Sequence, residues 1–190
     1  MENLVMQVKQ DQSMSFEQFL EWVAHQEMKH EYVNGEIYAM AGARVAHGVV
    51  SGNLYAEFRN HFRGTPCRAF IADLMVRVEE ANCGFYPDVL VTCESLSDDD
   101  LLSHMPKLVV EVLSPSTERY DKDTKFYKGY RLLPSLEECV LVDTGSRMVY
   151  VHHKIEADKW LTQIYQGDAA VELKSIGLTL PLAVIFEGLS

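Results

Sequence analysis

The chain has 190 residues, of which 47% are hydrophobic and 24% charged, and carries a formal net charge of -11. That length suits one ordinary domain with a full core, and no apolar run is long enough to form a membrane helix. The acidic balance weighs against long-range electrostatic capture of nucleic acid unless a local basic surface or a bound divalent cation reverses the field at one site.

Residues 1–14 lack the basic, then apolar, then small-residue order of a secretion signal and read as a loosely ordered leader, ahead of a single domain over residues 15–190. Ser15 and Gln18 form a capping-box pattern, and Phe16, Phe19, Leu20 and Val23 supply the apolar stripe of a helix ending near His25. Glu31 to Met40 predicts a hairpin about Asn34-Gly35, a pair that tolerates positive φ. A second helix is expected from Ala46 to Phe62, with Val50, Leu54, Phe58 and Phe62 at every fourth position. Arg68 to Glu79 alternates like one strand, with Asp73 and Arg77 opposite its apolar face.

Two β-branched runs follow, Phe85 to Cys93 and Lys107 to Leu113, separated by an acidic loop from Ser95 to Met105. A helix is predicted from about Glu118 to Leu132, then a hairpin of Glu138 to Asp143 and Arg147 to His153. The tail adds a strand at Trp160 to Tyr165, an extended piece near Leu178 and a helical turn after Pro181. This order implies a mixed α/β layer arrangement, a central sheet covered by helices. Cys67, Cys83, Cys93 and Cys139 have no zinc-site spacing and read as reduced thiols in a cytoplasmic protein.

The chemistry concentrates in two strands and the helix that follows them. Asp88 opens the run Asp88-Val89-Leu90-Val91 directly after Pro87, where a lone aspartate would ordinarily be a solvated turn residue. Glu111 lies inside Leu108-Val109-Val110-Glu111-Val112-Leu113, a run that reads as a strand covered on both faces. A buried carboxylate must be protonated, paired or bound to a cation. A structural salt bridge to Arg77 or Lys125 is one answer. The other is a hard-cation site, since two carboxylates on neighbouring strands with water in the remaining positions suit Mg²⁺ or Mn²⁺. In the helix after Ser114-Pro115-Ser116-Thr117, where Ser116 or Thr117 can act as cap, Asp121 and Lys125 share a face at i and i+4. Lys122 and Lys128 read as solvated. His47 starts the second helix on the side of Val50 and Leu54, and Asp73 could be a third carboxylate or a solvent-facing residue. His152 and His153 are adjacent on a strand, point to opposite faces and make a poor metal pair.

The succession of Glu31 and the YVNGEIYAM hairpin, His47, YPDVLV, LVVEVLSPST, Asp121, Lys125, Tyr130 and CVLVD resembles the Uma-two family of proposed restriction-type endonucleases, within the PD-(D/E)XK superfamily. The resemblance runs from about Glu31 to the end. It implies a restriction-endonuclease-like α/β (α+β) fold, a central mixed sheet flanked by helices with additional hairpins. It also implies a metal-dependent endonuclease acting on DNA, with Asp88, Glu111 and Lys125 catalytic. Mg²⁺ or Mn²⁺ would be held by Asp88, Glu111 and the Val112 backbone carbonyl. Asp73, His47, Glu31 and Asp121 are accessory candidates, and a homodimer would address both strands. One departure stands out: the motif lysine would fall at position 113, which is Leu113, so Lys125 is the residue to supply its charge. A catalytically degenerate domain of the same fold, binding nucleic acid or protein, is the competing expectation.

Overall fold

The computed structural model describes residues 6–8, 14–40, 42, 44–114 and 118–189. In chain order, a short strand β1 (Met6–Val8) precedes helix α1 (Phe16–Val23), which is capped by Ser15 with Gln18 completing the capping box. The hairpin β2 (His30–Val33) and β3 (Glu36–Ala39) turns at Asn34-Gly35, both at positive φ, and leads to helix α2 (Val45–His61). β1, inside the stretch read as a leader, pairs antiparallel with β3.

Where the sequence alternates as one strand from Arg68 to Glu79, two are found: β4 (Arg68–Ile71) and β5 (Met75–Val78). The break is Ala72, a non-glycine residue at φ 54, which turns the chain out of one sheet and into another. The run expected from Phe85 to Cys93 divides in the same way. β6 (Cys83–Phe85) and β7 (Val89–Thr92) flank Tyr86-Pro87-Asp88, where Pro87 cannot donate to a ladder. The two breaks lie side by side, since Ala72 N–H donates to the Asp88 carbonyl at 3.1 Å.

A two-residue strand β8 (Leu102–Ser103) and the long β9 (Pro106–Leu113) follow. Residues 115–117, including the expected turn and caps at Ser116 and Thr117, lie outside the described residues. The expected helix is not a regular α-helix: Tyr120–Tyr127 is wound as a π-helix and Tyr130–Leu132 as a 3₁₀ turn. Asp121 is followed by buried Lys125 and Phe126 four and five residues on, and these by buried Tyr130 five and four residues on, a set that an α-helix would spread around its circumference. The remaining elements are β10 (Glu138–Asp143), β11 (Met148–Glu156), β12 (Lys159–Tyr165), β13 (Ala170–Leu173), β14 (Leu178–Pro181) and the helical turn α3 (Leu182–Ile185).

Two mixed sheets result, in the orders β1-β3-β2-β6-β5-β8 and β12-β11-β10-β9-β7-β4, with β13 and β14 as a separate pair. β9 is central to the second sheet, antiparallel to β7 and parallel to β10. Its residues alternate between two cores. Leu108, Val110 and Val112 join Val140 and Val142 beneath α2 residues Val50, Leu54 and Phe58. Val109 and Leu113 join Cys139, Leu141, Phe126 and Tyr130, together with Val76, Val78 and Phe85 from the first sheet. The seam between the two sheets therefore runs along the face of β9 to which Glu111 belongs. On the far side of the first sheet, Phe16 and Phe19 of α1 cover Tyr32, Ile37 and Met75.

The reading of four reduced cysteines is corrected at two positions. Cys67 and Cys93 form a disulfide, because continuing the Arg68↔Thr92 register by one residue sets them opposite each other on β4 and β7. Cys83 and Cys139 are free and buried.

Candidate active site

Glu111 is 1% exposed and shares its face of β9 with Val109 and Leu113. Tyr130 donates its hydroxyl to Glu111 Oε1 at 2.7 Å, and the Lys125 ammonium lies 3.2 Å from Oε1 and 3.3 Å from Oε2. Burial pushes the Glu111 carboxyl well above its ordinary range. Lys125 opposes that shift, and the charges of Asp121, Asp88 and Glu31 reinforce it. The expected salt bridge thus goes to Lys125. Arg77 instead donates to Asn82 and the Cys83 carbonyl and stacks over the Phe16 ring.

Lys125 comes from the π-helix, with its side chain 6% exposed. Its Nζ is 2.9 Å from Glu31 Oε1 and 3.6 Å from Asp121 Oδ1, in addition to the Glu111 contacts. Burial disfavours the ammonium, but the three carboxylates outweigh it and raise the Lys125 pKa well above its ordinary value. At neutral pH the group is a fixed cation. The solvated-face reading holds for Lys122, which pairs with Glu118 at 2.6 Å, and for exposed Lys128. Leu113, at the motif position, packs in the apolar core two residues beyond Glu111 on the same face, so the charge it lacks enters that face from the following segment.

Asp88 stands at the crossover between β6 and β7. Continuing the Val89↔Val110 register by one residue sets it across from Glu111. Its Oδ2 accepts the Val112 N–H at 2.7 Å and lies 3.0 Å from His47 Nε2. Val112 thus takes part through its N–H. Burial alone would depress the His47 pKa, but its hydrogen bond to Asp88 and the charges of Asp88 and Asp121 raise it above the ordinary value.

Of the accessory candidates, Glu31, Asp121 and His47 join the cluster. Glu31 is held from β2 by the Tyr86 N–H at 2.9 Å. Asp73 does not join: its side chain is 81% exposed and pairs with Lys29, because it sits in the outward turn that separates β4 from β5. Tyr130 enters the sequence reading as part of the family resemblance, with no polar role, and its hydroxyl on Glu111 is seen only in the structure. No sequence signal distinguishes a tyrosine that packs from one that also donates.

The donor set suits a hard cation. Four carboxylates, Glu31, Asp88, Glu111 and Asp121, face one ammonium and one imidazole, and oxygen donors with excess negative charge are what Mg²⁺ and Mn²⁺ select. Among the described residues, no three His, Cys, Asp or Glu side chains form a group that could hold a metal ion by themselves.

This architecture is a mixed α+β fold, two sheets flanked by helices with an acidic cluster and a lysine at their seam. A solved structure from Anabaena variabilis ATCC 29413, described as "a putative nuclease belonging to DUF820", superposes with a TM-score of 0.74 at 18% identity, covering 91% of this chain and 97% of that one. The family model Uma2, "Putative restriction endonuclease", matches residues 16–183. Two proteins of Synechocystis are similar in sequence. The uncharacterized protein slr1290 is 40% identical over 179 residues, covering 93% of each chain. The uncharacterized protein sll1609 is 31% identical over 145 residues, covering 75% of this chain and 81% of its own. The chain belongs to the Uma2 family. Among the described residues, no helix is long and apolar enough to cross a membrane.

Proposed function

We propose that the protein is a divalent-metal-dependent endonuclease that hydrolyses DNA phosphodiester bonds, with Asp88, Glu111 and Lys125 as its catalytic residues. The observation that carries this reading is the placement of Lys125. A lysine 14 residues downstream of Glu111 is buried against it, on the face where the motif lysine of the superfamily is replaced by Leu113. Burying an ammonium and several carboxylates together costs folding stability, which a purely structural core would avoid with apolar residues.

Glu111, Asp88 through its second oxygen and the Val112 carbonyl would hold Mg²⁺ or Mn²⁺. When bound, such a cation contributes Lewis-acid stabilisation of the scissile phosphate and a more acidic water. His47 and the Val112 N–H fix Asp88 from two sides. Tyr130 fixes Glu111. Lys125, held protonated, cannot take a proton from water; it donates hydrogen bonds to the phosphate oxygens as negative charge develops. A homodimer would present two such sites, one to each strand of a duplex, and sedimentation velocity tests for it.

The competing reading, a binding module that no longer cuts, draws on Leu113 and on the closure of both Glu111 oxygens by Tyr130 and Lys125. Cleavage of plasmid and single-stranded DNA with Mg²⁺ or Mn²⁺ separates the two. Wild type should cut, Glu111→Gln should fall to background, and Lys125→Met should lose on the order of 10²-fold in rate. Activity surviving Glu111→Gln would point to a contaminant or another site.

A further inference from the structure

Glu31 sits in the first sheet, yet its nearest charged partner is Lys125, the residue that reaches Glu111 in the second. A single oxygen, Oε1, takes both the Lys125 ammonium at 2.9 Å and the Tyr86 N–H at 2.9 Å. Tyr86 is two residues ahead of Asp88 in the crossover between β6 and β7. The Glu31–Lys125 contact is also the shortest of the lysine's ion pairs, against 3.2 Å to Glu111 and 3.6 Å to Asp121. Glu31 is 2% exposed and its side chain is pinned at the oxygen that binds the lysine.

We infer that Glu31 is a positioning residue that fixes the distance between Lys125 and the Asp88 segment through one shared oxygen, rather than a ligand or a group that contacts substrate. This rests on the nuclease reading above. The geometry explains why a third carboxylate stands beside a lysine already paired with Glu111. Glu111 alone would let the ammonium follow the carboxylate wherever the cation draws it. Glu31 gives it a second anchor, on the opposite sheet, that stays put. Asp121 cannot serve this way, because it rides on the same π-helix as Lys125 and moves with it.

The test uses the full chain with Glu31→Gln, Lys125→Gln and the double variant. Thermal melting without substrate gives one cycle. The double variant should lose less than the sum of the single losses, since each single change removes the same ion pair. Cleavage with Mn²⁺ gives a second cycle. Glu31→Gln should lower kcat on the order of 10²-fold while KM and the Mn²⁺ midpoint stay within about twofold, and should cost nothing further on top of Lys125→Gln. Glu31→Asp, which keeps the charge one methylene further back, should recover part of kcat. A shifted Mn²⁺ midpoint would make Glu31 a metal ligand and a raised KM would make it a substrate contact, and either overturns the positioning role. Additive melting losses overturn the coupling itself. If Lys125→Gln does not fold, the split between kcat and KM in Glu31→Gln still decides. A wild type that cuts nothing defeats the nuclease reading, while the melting cycle still reports whether Glu31 holds Lys125.

Discussion

At Glu111 a carboxyl group that is 1% exposed has a tyrosine hydroxyl and one shared ammonium as partners, with three more carboxylates close enough to raise its pKa. Removing water from the charged form is unfavourable, and the neighbouring negative charges add to that cost. The folded state therefore holds the Glu111 proton more tightly than the unfolded chain does. A group with a raised folded pKa contributes its full stability below its ordinary value, 4.5, and loses it as pH rises through the folded value. Once it ionises, and without metal, Glu111 is thus a burden on the fold. Glu111→Gln keeps an acceptor for Tyr130 and Lys125 and removes one of four negative charges. Its melting temperature should rise above that of wild type as pH climbs through the range in which Glu111 ionises, with the gap closing as pH falls toward 4.5. Melting curves across that range in a chelator decide it. A Glu111→Gln protein less stable than wild type at every pH would mean that the Lys125 pair is a net gain to the fold.

At the scale of elements, one glycine packs directly against the π-helix. A Cβ on Gly129 would lie 2.5 Å from Phe85 Cε2 and 2.7 Å from the Lys125 carbonyl oxygen. A rotamer change could move the ring, but the carbonyl is backbone, so the winding that aims Lys125 must shift. Gly129→Ala should cost about 1–3 kcal/mol by overpacking and should also lower cleavage. Denaturant unfolding and a rate measurement read the two effects, and a fully active Gly129→Ala protein would show that the π-helix tolerates displacement. Elements of this kind mark where the sequence stops being legible. The capped helix α1, the Asn-Gly hairpin and the central strand β9 were all readable, because local propensity and burial agree there. The split at Ala72 was not, because Phe70, Leu74 and Val76 keep strand alternation across a break made by one backbone torsion. The π-winding was hidden for a similar reason: Asp121 and Lys125 at i and i+4 fit an α-helix equally well. The pairing of Glu111 with Lys125 was legible because charge in an apolar context demands a partner. The tying of Glu31 to Lys125 was not, because it joins a strand to a helix across 94 positions of chain.

For the whole molecule, the decisive feature is that the cluster lies on the seam between two sheets. Glu31 belongs to the first, Glu111 to the second, and Asp88 to a crossover that joins them. Separating the sheets dismantles the site, so a cation held there is bound by the folded state and not by the unfolded chain. On the proposed reading, the net charge of -11 would strengthen the coupling, since a divalent ion would relieve repulsion that the fold otherwise carries. Under mass action, metal at 100 times its Kd adds about 2.7 kcal/mol to global stability. Titrating Mg²⁺ or Mn²⁺ should move the whole unfolding transition of wild type upward as one step. Asp88→Asn retains acceptors for His47 and the Val112 N–H to reach but loses the charge, so its transition should stay nearly fixed over the same titration. Ca²⁺ should stabilise wild type as well, which separates binding from chemistry in a sample that is not cutting anything. An equal shift in Asp88→Asn and wild type would remove Asp88 from the metal site. A shift confined to one phase of a split transition would place the cation within a single sheet rather than on the seam.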